Sequence, residues 1–119
     1  MKNQFKKITL LATSLVIMAI SSCKECKNED PRARIINEGT DVASVQIKTT
    51  GGNTENINNI EPGTASEFRS YAPGMIKFTV SIDTSDYVIE VEMSECFEYD
   101  IKIDENNNLT SVPTDRNEK

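Results

Sequence analysis

A chain of 119 residues has room for one domain, and 19 acidic against 13 basic residues leave it at a net charge of −6. It contains no His and no Trp. That removes Ser-His-Asp and Cys-His nucleophilic catalysis, the commonest zinc ligand and the largest sugar-stacking ring, while the negative charge argues against neutralising a nucleic-acid backbone.

The first segment is an export address rather than part of a domain. Lys2, Lys6 and Lys7 form a positive start, and the run from Ile8 to Ile20 is apolar apart from Thr9, Thr13 and Ser14. Such a run is short for a spanning helix and fits the hydrophobic region of a signal peptide. Ser21 and Ser22 then lead into Cys23. An ordinary secretory signal with a chance Cys would share these features.

The stretch Ile20-Ser21-Ser22-Cys23 resembles the lipobox of bacterial lipoproteins, with Ile at a position where Leu is more usual. The resemblance implies cleavage between Ser22 and Cys23, a diacylglyceryl group on the Cys23 thiol, and often an acylated (for example palmitoylated) new amine. Two or three acyl chains hold a protein stably at a bilayer, at about 0.8 kcal/mol per buried CH₂. The expected organisation is a signal peptide over 1–22, a charged tether over 23–31, a domain over 32–112 and a polar tail over 113–119.

Without residues 1–22, ten basic and 19 acidic residues remain, a net charge of −9. Anionic headgroups repel such a domain, so the anchor has to be the lipid. From Asp83 onward eleven acids face only Lys102, Arg116 and Lys119. That imbalance reads as a solvated sheet face, or as an acidic face for a cation or basic partner. With Cys23 lipidated, Cys26 and Cys96 are the two remaining thiols in an exported, oxidising setting. The even count permits a disulfide between them but does not require one. The tether reads as a plain spacer, although Lys24-Glu25 and Asn28-Glu29-Asp30 also loosely fit a signal for display on the outer surface.

The remainder alternates short β-like runs with turn residues. Arg32 to Ile36 is stopped by Asn37-Glu38-Gly39. In Val42 to Thr49, Ala43, Val45 and Ile47 share one face. Ile57 to Ile60 is weak and closes at Pro62-Gly63, and Ala65 to Tyr71 ends at Pro73-Gly74. The alternation is then sustained. Ile76, Phe78, Val80 and Ile82 lie on one face; so do Tyr87, Ile89, Val91 and Met93, and then Phe97, Tyr99, Ile101 and Ile103. Leu109 to Val112 is a last short strand. Seven or eight short strands with no helical stripe predict an all-β fold, an antiparallel two-sheet sandwich.

Tyr71 to Val80 resembles the Pro-Gly turn and following strand of bacterial immunoglobulin-like and transthyretin-like domains. Ala33 to Asn37 with Val42 to Ile47 is similar to the opening of small exported domains of unknown function. These resemblances imply a β-sandwich and carry no activity.

Little catalytic chemistry stands out. Gly51-Gly52 lacks the Lys and helix of a phosphate loop. Of the three tyrosines, Tyr87 and Tyr99 share the apolar parity of their strands and read as core. Glu90 with Glu92 and Glu98 with Asp100 are pairs two residues apart, expected to cluster across one hairpin within glycosidase reach, or simply to keep an outer face soluble. Asp104, Asn106 and Asn108 have the oxygen spacing of a calcium loop without its Gly and Glu, and equally suit an Asx-rich turn. Asn108-Leu109-Thr110 is a formal glycosylation sequon.

The expectation is therefore a non-enzymatic, lipid-anchored lipoprotein of the cell envelope, at the outer membrane. It would act as a binding, accessory or adhesion module without cofactor or nucleic acid, with a glycan or an envelope protein as partner. Structural assembly with another envelope protein is the alternative, and a small carboxylate-based hydrolase ranks last.

Overall fold

A computed structural model describes residues 25–117, so the expected signal peptide, the expected cleavage site at Ser22 and the expected lipidation residue Cys23 lie outside the described residues. The fold is an all-β sandwich of two sheets. Its strands are β1 (Arg32–Asn37), β2 (Ala43–Lys48), β3 (Thr54–Ile60), β4 (Thr64–Ala65), β5 (Arg69–Ser70), β6 (Gly74–Ile82), β7 (Ser85–Met93), β8 (Phe97–Ile103) and β9 (Leu109–Asp115). One sheet runs β4-β1-β8-β9, with β5 also paired to β1; the other runs β3-β2-β6-β7. For brevity they are the β1 sheet and the β2 sheet.

The alternating sequence explains the layers. A strand shows successive side chains to opposite sides, so one apolar parity per strand suffices to build a core between two sheets. Ala43, Val45 and Ile47 of β2, Ile76, Phe78, Val80 and Ile82 of β6, and Tyr99, Ile101 and Ile103 of β8 are all buried in that core. Tyr87, Ile89 and Phe97 pack against its margin, half-buried. The predicted faces of β2, β6, β7 and β8 are those observed.

Four features depart from the sequence expectation. First, β1 pairs with β8 in parallel, Arg32 opposite Glu98 through Asn37 opposite Ile103; every other pairing is antiparallel. Second, the strand expected over Ala65 to Tyr71 is broken into β4 and β5, both held on the same edge of β1. Third, β9 continues past Val112 to Asp115, with Pro113 opposite Tyr99, so three residues assigned to the tail belong to the domain. Fourth, the charged segment 25–31 is no free tether. Pro31 is buried and its carbonyl accepts from the Tyr71 N–H, while the Glu29 carbonyl accepts from the Cys96 N–H.

The weakness of β3 in sequence also has a local cause. Between Ala43 opposite Ile60 and Val45 opposite Ile57, β3 carries one residue more than β2. This bulge, with Asn59 in the left-handed region at φ 59°, puts Ile57 and Ile60 on the same inner side although three residues separate them. A strict period of two cannot detect such a strand.

Asn37, expected to sit in a turn, is completely buried at the end of β1. Its Nδ2 donates to the Asp41 and Ile60 carbonyls at 2.8 and 2.9 Å, and its Oδ1 accepts from the Gly39 N–H at 2.9 Å. One amide thereby ties the β1–β2 turn to the end of β3. Gly39 suits this turn because a Cβ would stand a tight 3.1 Å from the Asp104 carbonyl and 3.2 Å from Asn37 Oδ1.

Two substitutions test this core. Phe78→Ala empties a fully buried site and should lower the unfolding free energy by about 3–5 kcal/mol. Asn37→Ala leaves two carbonyls and an N–H without their partners and should cost about 2–4 kcal/mol. Urea unfolding followed by circular dichroism measures both; a loss below 1 kcal/mol at either position would contradict the assigned packing.

Candidate functional site

The outer face of the β2 sheet carries a shallow concavity. Cross-strand register assembles it: Asn56, Gln46, Thr79 and Val88 form one row, and Ser44, Ser81 and Asp86 the next. All of these but Val88, with Asn58, line a groove of about 270 Å³. Ser81 Oγ donates to Asp86 Oδ1 at 2.7 Å, and the Asn59 N–H at the bulge donates to Ser44 Oγ at 3.3 Å. The next row toward the other end of the sheet is charged, Lys48 and Lys77 lying beside Glu90. An exposed sheet face is ordinarily studded with Lys and Glu; this half instead presents side-chain amides and hydroxyls.

Amides and hydroxyls both donate and accept, so the groove suits an uncharged ligand rich in hydroxyl or amide groups. Asp86 is the one carboxylate lining it, so two-carboxylate acid–base chemistry is not assembled there. The four-acid cluster expected across one hairpin does not form either. Glu90 and Glu92 project from the outer face of the β2 sheet, whereas Glu98 and Asp100 belong to the β1 sheet, on the opposite side of the sandwich.

Glu98 and Asp100 are neutralised where they stand. The parallel register sets Arg32 beside Glu98 and Arg34 beside Asp100, and both pairs close into ion pairs, the second at 2.9 Å. Phe68, in the link between β4 and β5, lies under both guanidinium groups at 5.1 and 4.7 Å. The expected acidic face is, on this side, a packed layer of alternating charge.

Asp104, Asn106 and Asn108 form a turn. Asp104 Oδ1 accepts from the Asn106 N–H at 2.8 Å and the Asn108 N–H at 2.9 Å. These backbone donors, Asn108 first, hold the exposed Asp104 carboxyl below the usual carboxylate range. The oxygens that sequence spacing offered to calcium serve the β8–β9 hairpin, and no metal-holding cluster of acidic or Cys side chains occurs among the described residues.

Cys26 and Cys96 are joined by a disulfide, their Cα atoms 5.7 Å apart. Parity alone placed Cys96 with the outward acids. The chain instead turns at Cys96 with φ 64°, and that corner swings the side chain into a buried position. Around it, Cys26 and Asn117 exchange two hydrogen bonds, at 2.6 and 3.3 Å. Arg116 pairs with Glu29 at 2.7 Å. Both ends of the described chain are therefore fastened at one pole of the sandwich.

A second hollow, of about 230 Å³, opens at that same pole between Thr49, Asn53, Glu55 and Tyr71. Tyr71, not assigned to the core from sequence, is buried. Its hydroxyl donates to Glu55 Oε1 at 3.0 Å, and Arg69 pairs with the same carboxylate at 3.1 Å. Burial, then the charge of Glu55, pushes the Tyr71 phenol far above its ordinary value of 10.

Two measurements follow from this geometry. The disulfide closes a 70-residue separation, so Cys26→Ser with Cys96→Ser should lower the unfolding free energy by about 4 kcal/mol, read by thermal and urea denaturation. Tyr71 stabilises the fold below pH 10, and that contribution is lost as pH rises toward its elevated folded value. At pH 11 the folded protein and Tyr71→Phe should then show equal phenolate absorbance; a drop of one tyrosine in the variant would refute the shift. No protein-family model matches this chain and no curated protein matches its sequence.

Proposed function

We propose that this protein is a lipid-anchored envelope lipoprotein whose β-sandwich is a non-enzymatic binding module, and that its ligand is a neutral, hydroxyl-rich polymer such as a glycan. The observation that carries the reading is the groove of Gln46, Asn56, Thr79 and Ser81, which offers amide and hydroxyl hydrogen bonds with Asp86 as its one carboxylate. The lipobox-like Ile20-Ser21-Ser22-Cys23 supports the anchor, and the disulfide fits an exported, oxidising location.

Magnitudes shape the kind of ligand. Each neutral hydrogen bond contributes about 0.5–1.5 kcal/mol net, and no aromatic ring lines the groove. A single site would bind weakly, near the millimolar range that about 4 kcal/mol supports. Many copies anchored in one membrane can engage a repeating polymer together, and avidity then gains about 10²–10⁴-fold. A short monovalent ligand would not fit this arrangement.

An assembly role is the second reading, and β7 favours it. This nine-residue strand forms one edge of the β2 sheet, contains no Pro, and exposes Val88 at 53%, whereas the edge strand β9 is interrupted by Pro113. Such an edge can accept a strand from a partner.

The soluble mature domain, immobilised at high density, should retain neutral polysaccharide, and Gln46→Ala with Asn56→Ala should reduce retention by about tenfold, the weight of one or two hydrogen bonds repeated over several sites. Retention unchanged in the double variant, or capture of a single stoichiometric protein instead, would overturn the glycan reading. Cys23→Ala should leave an uncleaved precursor or a soluble form, either one lacking acyl mass, and a wild-type N-terminus without lipid mass would contradict the anchor.

A further inference from the structure

We propose that the sandwich stands on its disulfide pole against the bilayer, so that the β2–β3, β5–β6 and β7–β8 turns meet the headgroups and the opposite pole points away. This rests on the lipid anchor at Cys23 and adds an orientation that the anchor alone does not impose. The juxtaposition behind it is covalent: Cys26, three residues from the lipidated position, is bonded to Cys96 in the β7–β8 turn.

Leash length decides which pole stays at the bilayer. Three residues reach at most about 11 Å when fully extended. With the bridge and the polar contacts around it open, the first buried residue of the segment is Pro31, and eight residues reach about 29 Å. The nine-residue strands β6 and β7 make the sandwich about 30 Å from pole to pole. An 11 Å leash therefore holds the disulfide pole at the headgroups and excludes the inverted pose, whereas a 29 Å leash, as long as the sandwich, lets either pole come down. Around the attachment, the Cys26–Asn117 and Glu29–Arg116 contacts restrict swivelling about the disulfide.

Charge acts in the same direction. At the far pole, the turns after β1, β3, β6 and β8 hold Glu38, Asp41, Glu61, Asp83, Asp104 and Glu105, with no Lys or Arg. At the disulfide pole, the three turns hold Glu95 alone. They are otherwise neutral and small, with Thr49 to Asn53 forming the longest of them. Segments 25–31 and 116–117 add Lys27 and Arg116 against three acids, one of which is paired. An anionic bilayer repels the far pole more strongly, and exposed charges feel that difference within a Debye length of about 8–10 Å.

The arrangement has a functional consequence. Ser44, Ser81 and Asp86 lie at the far end of the β2 sheet, so the polar groove is held sideways about 20 Å above the headgroups. A large polymer running parallel to the membrane can reach it there. With the domain lying on the β2 sheet, the groove would face lipid.

The test uses the full lipidated protein in vesicles of phosphatidylethanolamine and phosphatidylglycerol, carrying a headgroup energy acceptor. A donor dye is attached through an azide-bearing residue at Gly51, near the disulfide, or at Thr84, in the β6–β7 turn; both positions are exposed. Transfer from Gly51 should exceed that from Thr84 at least about twofold, given the pole-to-pole length. An eight-residue Gly-Ser spacer between Lys24 and Glu25, which leaves the disulfide and fold intact, should shrink the difference. Equal transfer from the two positions without the spacer, or a difference undiminished by the spacer, overturns the standing orientation. Acyl mass on the N-terminal peptide is checked in the same sample; its absence refutes the anchor itself, a failure distinct from that of the orientation.

Discussion

The parallel pairing of β1 with β8 is the constraint on which the rest of the β1 sheet depends. Without it, β8 and β9 would be a lone hairpin, and β4 and β5, which bond only to β1, would have no sheet to join. The seam joins residues 66 apart in sequence, so its closure entropy must be met by interactions that cross it. Several do. The Arg32–Glu98 and Arg34–Asp100 pairs bridge its outer face over the ring of Phe68, while Ala33, Ile35, Tyr99 and Ile101 pack beneath it. At its start, the Cys26–Cys96 disulfide closes the same gap covalently.

These contributions are unequal. Each partly exposed ion pair adds at most about 1 kcal/mol, whereas removing one large core side chain costs several. The cross-link acts on the unfolded chain and is comparable to a core side chain. For a domain of fewer than 100 residues, whose core is small, the bridge is a substantial fraction of the whole stability. It follows that the N-terminal segment, charged and without apolar residues before Pro31, is ordered by covalent and polar contacts rather than by burial.

What could be read from sequence was whatever repeats locally. Phe78, Val80 and Ile101 announced their burial through a period of two, and Glu90 and Lys48 their exposure. The parallel seam left no local trace, because Arg32 and Glu98 become neighbours only through pairing. The bulge at Asn59 broke the period that would have identified β3, and Asn37 looked like a turn residue until its three partners were in place. The groove was half legible: Ser44, Gln46, Thr79 and Ser81 stood on outward parities, but their assembly with Asn56 and Asp86 needed the strand order. Cys96 was misleading in direction, since its left-handed backbone reverses the parity of its neighbours.

In the proposed reading, a short, bridged attachment at one pole and a groove of amides and hydroxyls on one flank make a module whose presentation is set by covalent chemistry and whose recognition is set by hydrogen bonds. The most direct test is the intact mass of the protein extracted from membranes, alkylated without reduction. A chain beginning at Cys23, carrying diacylglycerol and fatty-acyl mass with no alkylated thiol, is the predicted result. An unlipidated N-terminus, or two alkylated cysteines at 26 and 96, would contradict it.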